Sequence, residues 1–305
     1  MIPGQIRDLR LSEDFRQLDL DSTPLFPCSC YNVDVRLNVA QEVPWHWHRE
    51  IEAISVIQGR GLFQASGESW LLEGGDGIFL NTNVLHSVHL PEGENCRFYS
   101  LVFSAELLAG MPGSIFEQRY IRPLLGSSTR AVPLYRNEPW RQEAVAAIEQ
   151  AYHAFAGETF GWELLVRGAL SQMWVLMAEH MTSPGSAATE TNDIRRLKEM
   201  LQFLHAHYDQ PVSLEEIAGT ANIGKRECLR CFQRTIGVTP IQYLLKYRVR
   251  KASSLLAETD LPVTEVALRC GFESPSYFSL MFRRLIGRTP RDYRRYFSES
   301  LDRQQ

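Results

Sequence analysis

Hydrophobic and polar positions change their rhythm twice along this chain. Between residues 30 and 103, short runs alternate apolar with polar: "YNVDVRLNVA", "IEAISVIQG", "GLFQASGESWLL", "DGIFLNTN", "HSVHL" and "RFYSLVF", separated by Gly-, Asn- and Pro-containing turns. Alternation turns one side of each segment toward a core, and short strands at regular spacing predict a sandwich or small barrel. From Trp140 to Met181 the apolar step lengthens to three and four residues, in "RQEAVAAIEQAYHAF" and "WELLVRGALSQMWVLMAEHM". That step predicts helices. The second is apolar around much of its circumference, so it is expected to pack on the barrel or on a second subunit. "TSPGSAATETN", residues 182–192, is small and polar with a Pro-Gly pair, the composition of a linker. Everything after it has helical periodicity. The pattern therefore predicts an α+β multidomain chain. A β-barrel occupies 1–139, a helical and dimerising segment 140–181, a linker 182–192 and an all-α domain 193–305.

The last domain contains an internal repeat. "LEEIAGTANIGKRECLRCFQRTIGVTPIQY" (Leu214–Tyr243) aligns with "VTEVALRCGFESPSYFSLMFRRLIGRTPRDY" (Val263–Tyr293). Ala218 matches Ala267 and Ile223 matches Phe272. With one extra residue in the second copy, Phe232 matches Phe282, Gly237 matches Gly287, Thr239-Pro240 matches Thr289-Pro290, and Tyr243 matches Tyr293. Each copy reads as a short helix with a small residue, a tight turn, and a second helix, which is the helix-turn-helix pattern. The second helix of such a unit enters the major groove. In the first copy the apolar face takes Cys228, Cys231 and Phe232, leaving Lys225, Arg226, Glu227, Leu229, Arg230 and Gln233 for DNA. The Cys228-x-x-Cys231 spacing falls on the buried stripe and is read as packing. In the second copy Phe278, Met281 and Phe282 go inward. Ser274, Ser276, Tyr277, Ser279, Leu280 and Arg283 are left for the groove and its phosphates, a face short of bidentate donors. "IQYLLKYRVRKASSLLAE" reads as one long helix fixing the spacing of the two readers.

Charge divides at the same place. The chain carries −4 overall, yet from Asp193 to Gln305 there are 19 Lys and Arg against 13 Asp and Glu, a net +6 on a chain whose front is acidic. A basic back suits a polyanionic partner. The six cysteines are scattered through 305 residues. The start has no basic-then-apolar signal pattern, and no apolar run is long enough to span a bilayer. These features predict a cytoplasmic protein with reduced thiols and no membrane partner.

Residues 194–297 resemble the DNA-binding domain of the AraC/XylS family of bacterial transcription regulators. "VTEVALRCGFESPSYFSLMFRRLIGRTPRDYRR" fits that family's second helix-turn-helix almost position by position. The first unit departs at Gly224, where the family usually has a capping Ser. The resemblance implies a dimer that binds promoter DNA, with RNA polymerase as a further partner.

In the front domain, "PWHWHREIEA" places His46, His48 and Glu52 within seven positions, all residue types that ligate divalent metals. His46 and His48 share a face of a strand, whereas Glu50 and Glu52 have the same parity and "HRE" looks like a turn. Together with "GGDGIFLNTNVLHSV", the stretch resembles the two motifs of a cupin barrel, although "NTNVLH" lacks the usual Pro and Gly. In metal-binding cupins the matching positions, here His46, His48, Glu52 and His86, converge on one ion. Three readings stay open at this point. A metal-free pocket could bind a small polar effector such as a carbohydrate, with Trp45, Trp47 and Trp70 available for stacking. A divalent metal could sit at His46, His48, Glu52 and His86. The histidines could also be ordinary packing. The chain is expected to be a ligand-responsive transcription regulator and not an enzyme, the alternative being a metal-dependent cupin oxygenase or isomerase with an appended helical domain.

Overall fold

The computed structural model describes residues 9, 11–12, 16–18, 20, 22–38, 41–181 and 192–302, with side chains up to residue 296. Two compact units divide at Asn192. The fold is α+β, with antiparallel strands in the first unit and helices throughout the second. The linker expected over 182–192 lies outside the described residues, apart from Asn192, which opens α5 (Asn192–Ala206).

Eight antiparallel strands build the first unit: β1 (Cys28–Asp34), β2 (Glu42–His46), β3 (Ile51–Ala65), β4 (Glu68–Glu73), β5 (Gly77–Leu80), β6 (His86–His89), β7 (Cys96–Phe103) and β8 (Ala131–Leu134). Strand β3 organises them. Its first half pairs with β5 and β7, its second half with β4 and β6. The hydrophobic pattern ends one strand at Gly59 and carries the next through Leu72. The structure instead runs β3 through Gly59 and turns at Ser66-Gly67. Both turn residues are left-handed (φ 53° and 87°), as a two-residue hairpin turn demands. Gly59 bends the strand next to a register shift at Val56/Gln58; with φ 71°, a Cβ there would lie 1.9 Å from Asn95 Oδ1. Strand β8 is absent from the sequence pattern because "AVPL" is short and contains Pro133, which an edge strand tolerates.

Alternation along β3 assigns two cores. Ile54, Val56 and Phe63 face the barrel interior with Val33, Leu72 and Phe98. Ile51 and Ala53 face outward onto a helical layer. That layer comes after two short helices, α1 (Glu106–Ala109) and α2 (Arg122–Leu125), and consists of α3 (Pro139–Gly157) and α4 (Trp162–Met181). Trp174, fully buried, packs edge-on against Phe79 and donates its indole N–H to Tyr120 O at 2.9 Å. Helix α4 therefore packs on the barrel, while Leu164, Leu165 and Val175 on it are exposed. None of the helices among the described residues is long and apolar enough to cross a membrane.

The second unit continues with α6 (Leu214–Thr220), α7 (Lys225–Ile236), α8 (Pro240–Glu258), α9 (Val263–Arg269), α10 (Pro275–Ile286) and α11 (Pro290–Asp302). Helices α6 and α7 form the first helix-turn-helix, and α9 and α10 the second. The 19 residues of α8 between them span about 28 Å.

Candidate functional sites

The first site lies inside the barrel. Glu52 shares the inward parity of Ile54, and its side chain is buried. His46 ends β2 directly across from His86 at the start of β6, with ring centroids 4.0 Å apart. His48 lies just past β2 and reaches back to place Nε2 3.4 Å from Glu52 Oε2. One donor atom from each of His46, His48, Glu52 and His86 lies within 4.8 Å of all the others, and all four residues are buried. Glu50, the other acid of matching parity, stays outside at 4.0 Å from His48 Nδ1.

Backbone carbonyls fix the tautomers. His46 Nδ1 meets Pro44 O at 2.8 Å, His48 Nδ1 meets Glu50 O at 3.0 Å, and His86 Nδ1 meets Val84 O at 2.8 Å. A carbonyl only accepts, so each Nδ1 carries a proton, and a second proton on Nε2 of His48 or His86 faces the Glu52 carboxylate. Ser100, inward-facing on β7, donates to Glu52 Oε1 at 2.6 Å. Sequence reasoning missed it; the signal was a lone hydroxyl at the parity of Phe98 and Val102. Burial and the charge of neighbouring His86 push His46 well below the usual histidine range. Burial alone would raise the Glu52 carboxyl, but the imidazoles of His48 and His86 outweigh it and hold it well below the usual range. The carboxylate is thus a buried negative charge with no Lys or Arg partner among the described residues.

Valines, Ile54 and Phe98 surround the polar cluster, and the cavity leaves about 20 Å³ for the centres of water-sized molecules. That is room for one water or ion. Neither Trp45 nor Trp70 lines it. Trp45 precedes His46 on β2 and is buried. Trp70 pairs with Phe63 across β3 and β4 and packs on the barrel core.

The second site is the duplicated unit. Ile223 N donates to Ala218 O at 3.1 Å, and Phe272 N to Ala267 O at 3.0 Å. Asn222 N donates to Gly219 O at 3.1 Å, and Gly271 N to Leu268 O at 2.9 Å. Asn222 and Gly271 are both left-handed (φ 52° and 73°). Gly237 and Gly287 end the two reading helices in the left-handed conformation (φ 73° and 80°). Ser274 caps α10 by accepting from Tyr277 N at 3.3 Å, whereas Gly224 gives α7 no side-chain cap.

The exposed faces differ. On α7, Lys225 pairs with Glu215 at 2.5 Å, Arg230 with Glu227 at 4.0 Å, and Arg234 with Glu227 and Asp193 at 2.7 and 2.9 Å. Arg226 has no carboxylate partner among the described residues. Gln233 is turned back onto Gly237 O at 3.2 Å, and Leu229 is 38% exposed. Cys228 and Cys231 are fully buried, which raises both thiols to about 11. On α10, Tyr277 and Leu280 are exposed, and so are Ser276 and Arg283. Ser279 spends its hydroxyl on Pro275 O at 2.9 Å.

Comparisons with known proteins match both units. A family described as "Helix-turn-helix domain" matches residues 217–296, and one described as "AraC-like ligand binding domain" matches 38–173. The uncharacterised HTH-type transcriptional regulator YdeC of Bacillus subtilis is 28% identical over 291 residues, covering 95% of this chain and 99% of its own. The HTH-type transcriptional activator RhaS of Klebsiella pneumoniae is 29% identical over 286 residues, covering 90% and 96%. The HTH-type transcriptional regulator GbdR of Pseudomonas aeruginosa is 27% identical over 281 residues, covering 90% of this chain and 67% of its own. The chain thus joins an AraC-like ligand-binding domain to a helix-turn-helix domain, and its full-length relatives are HTH-type transcriptional regulators.

Proposed function

We propose that this regulator reads two successive major grooves of promoter DNA with α7 and α10, and receives its signal in the barrel at His46, His48, Glu52 and His86. The duplication carries the first part: two units with the same turn hydrogen bonds each leave the outer face of the second helix uncovered. Arg226 is the base-reading donor, being an unpaired guanidinium in the first turn of α7. Arg283, Arg284, Arg288 and Arg291 around α10 hold phosphates. A ligand in the barrel can alter DNA binding only by favouring one arrangement of the protein over another. The match to a ligand-binding domain and the relatives' names as transcription regulators support a sensor rather than an enzyme.

Selection of sites from genomic DNA by the full chain, with footprinting of the selected sites, tests the DNA reading. The expected result is two protected major-groove segments about 10 base pairs apart on one face of the duplex. Binding without preference over competitor DNA would refute it. Self-association is proposed through α4, whose Leu164, Leu165 and Val175 face outward; sedimentation velocity on the full chain checks it, with a dimer expected.

A further inference from the structure

We infer that the second reader, α10, selects thymine by its 5-methyl group, through the side chains of Leu280 and Tyr277. This selectivity rests on the proposed entry of α7 and α10 into successive major grooves, and names the base chemistry that the second of them meets.

The duplication puts the two readers in register. Helices α7 and α10 are each 12 residues long. The extra residue of the second copy falls in the turn before α10, so the helices align without a gap, Phe232 with Phe282 and Gly237 with Gly287. In that register Arg226 corresponds to Ser276, Glu227 to Tyr277 and Arg230 to Leu280. The first reader therefore carries two cations and an acid where the second carries a hydroxyl, an aromatic ring and an aliphatic side chain.

Hydrogen-bonded base reading relies on forked donors and acceptors, and the first turns of α10 have none: from Ser274 to Phe282 there is no Arg, Lys, Asn or Gln. Ser274 is occupied in capping Tyr277 N, and Ser279 donates to Pro275 O. Leu280 is 63% exposed and Tyr277 49% exposed. Three residues apart on a helix, they are neighbours on one face. Among the groups that base pairs show in the major groove, the thymine 5-methyl is the apolar one. It is the group that covers Leu280 and the Tyr277 ring without stripping water from a polar edge. Cytosine would set its amino group there and offer no methyl.

Charge around the patch identifies DNA as its occupant. Arg283 and Arg284 continue the exposed side of α10, and Arg288 and Arg291 lie just beyond it, also exposed. None of the four has a carboxylate partner among the described residues. An apolar centre inside an unpaired cationic rim complements a methyl-bearing groove floor between two phosphate backbones.

The test uses the full chain and a duplex carrying a site selected from genomic DNA. Each thymine of the two protected segments is replaced singly by deoxyuridine, which removes the methyl and keeps the base pair. Competition binding at fixed salt should show about a fourfold loss for each contacted methyl. Leu280→Ala and Tyr277→Ala change exposed positions and should leave circular dichroism and melting unaltered. Each should weaken binding to the thymine duplex and erase the thymine–uracil difference at its own contact. Both effects should fall in one segment, with the other segment unchanged. Equal binding of thymine and uracil duplexes throughout overturns the inference, as do uracil losses that persist in both variants. Two protected segments indifferent to the methyl overturn the selectivity of α10 alone; binding without sequence preference overturns the groove reading on which it rests.

Discussion

The two helix-turn-helix units share a skeleton and differ in everything that faces outward. Turn hydrogen bonds, the left-handed third residue of the turn and the terminal glycine coincide between them. Helix α7, however, presents cations largely answered by carboxylates of its own unit: Lys225 by Glu215 of α6, and Arg230 and Arg234 by Glu227. Around α10, Arg283, Arg284, Arg288 and Arg291 have no carboxylate partner among the described residues. If α7 reads bases as proposed, its ion-paired cations leave the unpaired Arg226 as the discriminating contact. Unpaired arginines around α10 attract any phosphate backbone. On the proposed reading, the first unit serves for choice and the second for grip.

The largest effect should come from the shared skeleton. Gly271→Ala places a Cβ 2.5 Å from Tyr208 O at a positive φ, whereas the equivalent Asn222 already carries a side chain there. Gly271→Ala should cost about 2–4 kcal/mol in denaturant unfolding, and Asn222→Ala about 1. Equal costs would show that the two turns are not packed differently. Next, Arg226→Ala should weaken specific DNA binding by about 1–3 kcal/mol and relax base preference under α7, measured by competition binding. Arg230→Ala should cost less, since its guanidinium already neighbours Glu227. Smallest, Arg284→Ala should weaken all sequences alike and lower the slope of log affinity against log salt by about 1. A change in base preference from Arg284→Ala would erase the division between choice and grip.

Legibility in the sequence depended on how local the determinants were. The repeat was visible because glycines, Thr-Pro pairs and helical stripes are short-range features. Ion pairing on α7 was not, since Glu215 and Asp193 come from other helices and meet it only after folding. In the barrel, His46, His48 and Glu52 could be picked out by residue type. Choosing Glu52 over Glu50 required knowing that the turn ends before Ile51. Ser100 and the carbonyls that fix the imidazoles were invisible, because pairing of distant strands and main-chain geometry supply them. Trp45, read from the sequence as available for stacking, is buried beside His46 and is not among the residues lining the cavity.

Arg248 on α8 donates to Tyr208 O and Gln210 O, each at 2.6 Å, in the loop that precedes the first unit. The Gly271 turn of the second unit lies against the same arginine. One side chain thus locks the α8 helix to the loop before the first reader and to the turn of the second. The second reader's phase on the duplex is then set by helix arithmetic, because each residue added to α8 rotates the downstream helices by about 100° and advances them about 1.5 Å. If α7 and α10 read successive grooves as proposed, a changed spacing in the DNA target requires a different angular setting, and hence a new packing around Arg248.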